Sequence, residues 1–256
     1  MKFRPCIDIH NGKVKQIVGG SLKDENDVAD ENFVATQDAS YYAKLYREKG
    51  ISGGHVILLN GTDSPYYDAT KEQALMALEE YKGGLQIGGG INDKNALFYL
   101  NSGASHVIVT SYVFSKGQVN YDNLKKINRI VGKDHLVLDV SCRKKGDKYY
   151  IVTDRWQNFT EVELSEETFY ELYQYCDEFL IHAVDVEGKA KGIEQEVAIM
   201  LGKLDGMKLT YAGGIGSFSD LNNLKQLGKN KVDFTVGSAL DIFGGNMKFE
   251  EVVNYK

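Results

Sequence analysis

Gly88-Gly89-Gly90-Ile91, followed by a strand-like run into Thr110-Ser111, is answered half a chain later by Ala212-Gly213-Gly214-Ile215 and a similar run into Gly237-Ser238. Each half also carries an aspartate that closes an apolar strand: Asp8 in CIDIHNGKV (6–14) and Asp139 in LVLDVSCRK (136–144). Every matched pair is separated by close to half of the 256 residues. A repeat with one carboxylate and two small-residue loops per half predicts a doubled α/β barrel. Such a barrel has two phosphate sites at opposite ends and two acid/base groups between them.

The rest of the chain agrees with that reading. Short apolar runs alternate with longer amphipathic ones, the pattern of βα units on a parallel sheet. Eight strands are predicted, over 3–9, 54–59, 84–87, 106–110, 135–140, 178–182, 207–211 and 232–236. Helices are predicted between them over 40–49, 68–81, 94–102, 120–131, 166–176, 195–201 and 218–227. Leu221, Leu224 and Leu227 recur at helical spacing and mark one buried face. Asn92 and Ser217 read as N-caps, and Gly50, Gly103 and Gly228 as left-handed C-caps. Two segments exceed ordinary loop length, 20–38 and 141–165, and each follows a strand that ends in one of the aspartates. The second is expected to hold a hairpin around 148–152 with its turn at 145–147, and then Trp156, the single tryptophan. With two prolines and no Ser/Gly-rich linker, the expectation is one domain over 1–256, with half-barrels at roughly 1–131 and 132–256. The expected class is α/β: a single (β/α)8 TIM barrel with a twofold half-barrel pseudo-repeat.

Composition narrows the partners. A net charge of −6 argues against nucleic acid, though not against small phosphorylated molecules, which helix N-termini bind without any lysine. No apolar run is long enough to span a bilayer, and the N-terminus reads as a first strand rather than a signal peptide. Three cysteines with no CxxC suggest reduced, buried thiols in a cytoplasmic protein, and neither a disulfide framework nor a zinc site. The five histidines show no metal-ligand spacing. GxGxxG and GxxxxGK[ST] do not occur, so dinucleotide and P-loop readings lose support. No cofactor and no metal are expected.

Residues at the C-terminal ends of barrel strands face the catalytic mouth. Asp8 and Asp139 end strands 1 and 5, which lie opposite one another in a closed eight-stranded barrel. Two carboxylates across a mouth can work on opposite sides of one substrate, one as base and one as acid, if their surroundings push their pKa values apart. Glycine lets a backbone approach phosphate closely, so Gly89, Gly90, Thr110 and Ser111 form one expected clamp, and Gly213, Gly214, Gly237 and Ser238 the other. Trp156 is placed over the mouth, where its face can stack on a planar substrate or simply pack on the rim. His182 ends strand 6 and is positioned to contact substrate. Arg143 and Lys144 either assist a phosphate or are solvated.

These stretches resemble a known family. CIDIHNGKVKQIVGG (6–20), QIGGGIND (86–93), VIVTSYVF (107–114), LDVSCRK (138–144), RWQNFT (155–160), FLIHAVDVEG (179–188), YAGGIGSFSDL (211–221) and FTVGSALDIFGGN (234–246) are similar to the HisA family. These are the phosphoribosylformimino-5-aminoimidazole carboxamide ribotide isomerases of histidine biosynthesis, and the likeness is to their eukaryotic branch. The resemblance implies an Amadori rearrangement of an aminoaldose to an aminoketose, with no metal or organic cofactor. Asp139 matches the general acid that protonates the ribose ring oxygen, and Asp8 the base that removes the C2′ proton. The two clamps match phosphate-binding positions, and Trp156 matches a tryptophan that stacks on substrate. Gln16, Asn60 and the run His182-Ala183-Val184-Asp185 depart from the bacterial pattern, which leaves open whether Asp185 or Glu187 carries the supporting acidic role. The alternatives are the cyclase subunit of imidazole glycerol phosphate synthase, a dual-substrate phosphoribosyl isomerase and a non-catalytic phosphometabolite-binding barrel. The cyclase usually has Lys where this chain has Gln16 and lacks the Trp-Gln loop. The expected partner is a bis-phosphorylated small molecule, with no membrane and no obligate protein partner. A monomer is expected.

Overall fold

Eight parallel strands carry the molecule: β1 (Cys6–His10), β2 (Gly54–Leu58), β3 (Leu85–Gly88), β4 (His106–Val109), β5 (Leu136–Asp139), β6 (Glu178–His182), β7 (Lys208–Ala212) and β8 (Asp233–Phe234). The computed structural model describes residues 1–18, 21–22, 29–154 and 156–256. The strands lie side by side in chain order, so each pairs with the strand before and after it. The curled sheet meets itself where Phe3 bridges Phe234 in parallel fashion, with Arg4 N–H donating to the Phe234 carbonyl at 2.8 Å and Phe234 N–H to the Lys2 carbonyl at 3.0 Å. Strands β1 and β5 therefore stand four places apart in either direction around the curl.

Helices α1 (Ala39–Glu48), α2 (Tyr67–Glu80), α3 (Ala96–Asn101), α4 (Tyr121–Val131), α5 (Glu166–Tyr173), α6 (Gln195–Leu201), α7 (Phe218–Leu227) and α8 (Phe249–Val253) follow the strands in turn. Their buried faces follow helical spacing. In α4, Leu124, Ile127 and Val131 turn inward, and the Asn120 side chain caps the helix by accepting from Asn123 N–H at 3.0 Å. The strands are apolar along nearly their whole length because both faces are covered. One face packs against the helices, while Ile108, Val137, Leu180, Ala212 and Ile57 form a separate cluster on the other. None of the helices among the described residues is long and apolar enough to cross a membrane.

The expected strands all form, within a few residues of their expected ends, and α6 and α7 have the expected bounds. Several local readings are corrected. Ser217 caps α7 as expected, accepting from Asp220 N–H at 3.3 Å, but α3 starts later than Asn92 and its N-cap is Asn95. Asn92 instead accepts from Lys94 N–H in the preceding turn. Gly50 and Gly103 have positive φ, whereas Gly228 has φ −78° and the left-handed residues are Lys229 and Asn230. The segment 20–38 is not all loop: Glu31–Val34 pairs with a strand at Lys13–Ile17 that hairpins back from β1. Residues 19, 20 and 23–28 of that region lie outside the described residues. The segment 141–165 folds further than expected, into a three-stranded antiparallel sheet of Cys142–Lys145, Lys148–Thr153 and Asn158–Glu163. Helix α8 has no counterpart among the expected helices.

Candidate active site

A cavity of about 450 Å³ opens at the C-terminal ends of the strands. Asp8 and Asp139 both line it, from opposite sides of the curl, together with Trp156, His182 and Glu187. The strand registers explain the convergence. Asp8 pairs with Ile57 and Asp139 with Leu180, so each aspartate points to the same inner face as a residue of the apolar cluster.

The two carboxylates have different surroundings. Asp139 Oδ1 accepts from Ser141 N–H and from Ser141 Oγ, both at 2.8 Å, and Oδ2 accepts from Thr110 Oγ1 at 3.2 Å. Trp156 Nε1 donates to Ser141 Oγ at 3.1 Å, which leaves the serine proton to point at Asp139. Among the described residues nothing donates to the Asp8 carboxylate. Burial pushes Asp8 up to about 7, opposed by His182 and reinforced by Glu187. Burial raises Asp139 as well, while His182, Ser141 and Thr110 pull it back. The environments thus separate the pair, as an acid/base assignment requires.

His182 shares the cavity with both. Its Nε2 lies 3.5 Å from Glu187 Oε2, and its ring is 5.5 Å from that of Trp156 and 6.2 Å from that of His55. Burial opposes a charge on His182, but Glu187, Asp139 and Asp8 together outweigh it and raise the imidazole to about 9. His55 goes the other way: burial and the neighbouring His182 lower it to about 3, so it is neutral at physiological pH. Asp185 faces away from the cavity. Its carboxylate takes Arg143 Nε at 2.8 Å and Lys144 N–H at 3.0 Å. The acidic group that meets the cavity is therefore Glu187, and Arg143 is spent on Asp185 rather than on a phosphate.

Both glycine loops sit at the C-terminal ends of their strands, one after β3 and one after β7. Gly89, Gly90, Thr110 and Ser111 line the large cavity, whereas Gly213, Gly214, Gly237 and Ser238 line a separate space of only about 10 Å³. Glu187 borders both. Among the described residues, the N–H groups of Gly90, Ser111, Gly214 and Ser238 donate to nothing within the chain, so each loop presents free donors. Thr110 Oγ1 is engaged by Asp139, and Ser111 Oγ accepts from Asp154 N–H at 3.2 Å.

Comparison with known proteins follows the same lines. A family model described as "Histidine biosynthesis protein" matches residues 2–247. This chain belongs to that family. A chloroplastic 1-(5-phosphoribosyl)-5-((5-phosphoribosylamino)methylideneamino) imidazole-4-carboxamide isomerase of Medicago truncatula is 54% identical over 257 residues, covering 99% of this chain and 81% of the relative. The isomerase of the same name from Saccharomyces cerevisiae is 47% identical, covering 98% and 96% of the two chains. That of Neurospora crassa is 44% identical, covering 95% and 93%.

Against this family background, Gln16 and Asn60 are both buried and both border the cavity. Gln16 Nε2 contacts Cys6 Sγ at 3.7 Å, and a Cβ on Gly237 would come within 2.3 Å of Gln16 Oε1. Gln16 therefore closes the gap between the large cavity and the second glycine loop. Asn60 accepts from Asn11 N–H at 2.8 Å and from Thr70 Oγ1 at 2.7 Å, tying the turn after β1 to the loop after β2. Several residues of the site and its surroundings were not singled out from sequence, among them Tyr67 and His55. Tyr67 lines the cavity from the start of α2, and His55 backs His182 from β2. Strand-end position was the available signal for His182, but His55 lies near the start of its strand, where that signal fails.

Proposed function

We propose that this chain is the isomerase of histidine biosynthesis that converts the aminoaldose ProFAR to the aminoketose PRFAR by an Amadori rearrangement. The observation that carries the reading is the pair of aspartates on opposite sides of one cavity in a chain of this family, each in a different electrostatic setting. Asp8 is the base that removes the C2′ proton: a carboxylate raised to about 7 is half ionised near neutral pH and a strong acceptor when ionised. Asp139 faces it as the second member of the acid/base pair. Trp156 stacks on the imidazole carboxamide, and His182 contacts the reacting ribose.

The clamps take the two phosphates, one at Gly89, Gly90, Thr110 and Ser111 and the other at Gly213, Gly214, Gly237 and Ser238. The free N–H groups of both loops support this. The architecture is read as one (β/α)8 TIM barrel over 1–256 built from two related halves, supported by the curled eight-stranded sheet and by the opposed placement of matching loops. The protein acts as a monomer and needs no glutaminase or other subunit. Its three buried free cysteines suit the cytoplasm, although the Medicago relative is named chloroplastic.

The test is conversion of purified aminoaldose by the purified chain, without added metal, ammonia or partner, followed by the absorbance of the product and by mass-neutral chromatography. Stoichiometric aminoketose is expected. Binding without conversion would replace this reading with that of a phosphometabolite-binding barrel.

A further inference from the structure

Each aspartate is tied to a different glycine loop. Asp139 meets the first through Thr110 Oγ1 at 3.2 Å. Asp8 meets the second through residues at the seam of the curl. Cys6 lies on the same face of β1 as Asp8, and Gln16 Nε2 contacts its Sγ at 3.7 Å. Gln16 Oε1 lies against Gly237, where a Cβ would meet it at 2.3 Å. The way from Asp8 to the second loop therefore runs past the Gln16 amide.

Polar groups along that way lack the partners their burial calls for. Gln16 is 4% exposed and carries two N–H donors and an acceptor oxygen. Among the described residues its one hydrogen-bonding contact is the Cys6 thiol, a weak acceptor. Thr235, 6% exposed, borders the space at the second loop, and its Oγ1 is enclosed with no hydrogen bond among the described residues. Gly214 and Ser238 border the same space, and their N–H groups donate to nothing within the described chain. Glu187 Oε2 is also without a hydrogen bond, but it is turned to His182 Nε2, 3.5 Å away. Buried polar groups without partners are costly, so a series of them along one path marks where a polar ligand completes them. Free N–H groups beside a hydroxyl donor suit a phosphate. A carboxamide that both gives and takes a hydrogen bond suits a hydroxyl. The two in succession describe a sugar phosphate.

We propose that Gln16 binds the 3′-hydroxyl of the ribose on which Asp8 acts, and that Thr235 donates to the 5′-phosphate of that ribose on the second glycine loop. This rests on the isomerase reading above and deepens it. Only C3′, C4′ and C5′ separate C2′ from the phosphate ester oxygen. The C4′ oxygen belongs to the ring until the ring opens, so the 3′-hydroxyl is the one hydroxyl between C2′ and the phosphate before and after opening. Holding it fixes C2′ against Asp8 while Gln16 itself moves no proton. A space of about 10 Å³ holds no more than one water, so the segment after β6 gives way as the phosphate enters. The ribose that does not rearrange then lies toward the first loop, beside Thr110 and Ser111.

The experiment compares conversion of the aminoaldose, and of its analogue lacking the 3′-hydroxyl on the rearranging ribose, by the wild type, Gln16→Met and Thr235→Val. Urea unfolding of all three without substrate accompanies it. The wild type is expected to convert the analogue with kcat/KM lower by about 10–100-fold, because the amide is left unpaired. Gln16→Met keeps the volume and removes the amide. It is expected to lose a similar factor on the natural substrate, and to discriminate against the analogue by less than about threefold. Thr235→Val is expected to raise KM about tenfold with kcat within about threefold. Both variants are expected to unfold at the same urea concentration as the wild type or a higher one, since each removes a buried polar group that has no strong partner in the free protein. A purely structural role would lower it. Equal conversion of both substrates by the wild type, or discrimination by Gln16→Met as strong as the wild type's, would overturn the role of Gln16. An unchanged KM in Thr235→Val would overturn that of Thr235. Failure of the wild type to convert the natural aminoaldose is a different result, because it overturns the isomerase reading itself.

Discussion

The two glycine loops share a sequence pattern and a place in the sheet, yet one is open and the other is shut. The loop of Gly89 and Gly90 borders the 450 Å³ cavity, and a Cβ added at Gly90 would meet nothing within 4 Å. The loop of Gly213 and Gly214 borders about 10 Å³, because the segment after β6 lies across it. Gly192 N–H donates to the Gly214 carbonyl at 3.0 Å, and Asn32 Nδ2 holds the Gly188 carbonyl at 3.0 Å. A Cβ on Gly214 would stand 2.1 Å from the Gly192 carbonyl oxygen. The two loops therefore share a sequence pattern and positive-φ glycines, while the neighbouring loop decides whether each can be reached. The same division holds for the aspartates: matched positions, unmatched surroundings.

The comparison is broken most severely at the aspartates. Asp8→Asn is expected to reduce kcat about 10³-fold or more while the substrate still binds, because it removes the proposed base and leaves both glycine loops unchanged. Steady-state kinetics with calorimetric binding check this, and a variant with normal turnover would sink the acid–base assignment. Next come the loops themselves. Gly90 and Gly214 both have positive φ, 71° and 74°, so alanine is strained at each. Gly90→Ala should cost about 1–2 kcal/mol from that strain alone, whereas Gly214→Ala adds a clash with backbone and should cost more than about 3 kcal/mol. Urea unfolding of the two variants measures the difference, and equal losses would mean that the second loop is no tighter than the first. The smallest effect is expected at a helix start that serves the second cradle. Ser217→Ala removes the cap of α7 and should cost about 1 kcal/mol, with KM unchanged in the same assays.

Much of this was legible before any coordinates. Strand ends were readable because both faces of a parallel sheet are covered, so apolar runs stop where the backbone reaches the mouth. That is how Asp8, Asp139 and His182 could be placed, and all three border one cavity. The loops were harder. Residues 141–165 show one hairpin in sequence, but they form three antiparallel strands whose register depends on contacts with one another and carries Trp156 to Ser141. Asp185 and Glu187 are two residues apart in a short turn, and only the position of Arg143 shows which one faces outward. The open or shut state of each glycine loop had no sequence signal at all, since it is set by a loop from a neighbouring strand. His55 was invisible for a related reason: its role comes from lying behind His182 across the sheet interior.

The seam at Phe3 and Phe234 has a consequence for how the molecule comes into being. Every other strand finds its partner among residues made shortly before or after it, but the ring cannot shut until residue 234 has left the ribosome and found residue 3. Until then only Ile9 and His10 have a partner on that side of β1, the hairpin strand at Lys13–Ile17, and the stretch before them stays open. The entropy of closing so long a loop grows only slowly with its length, so the delay is a matter of time rather than of stability. The chain is born as an open fan and becomes a vessel only at its last strand.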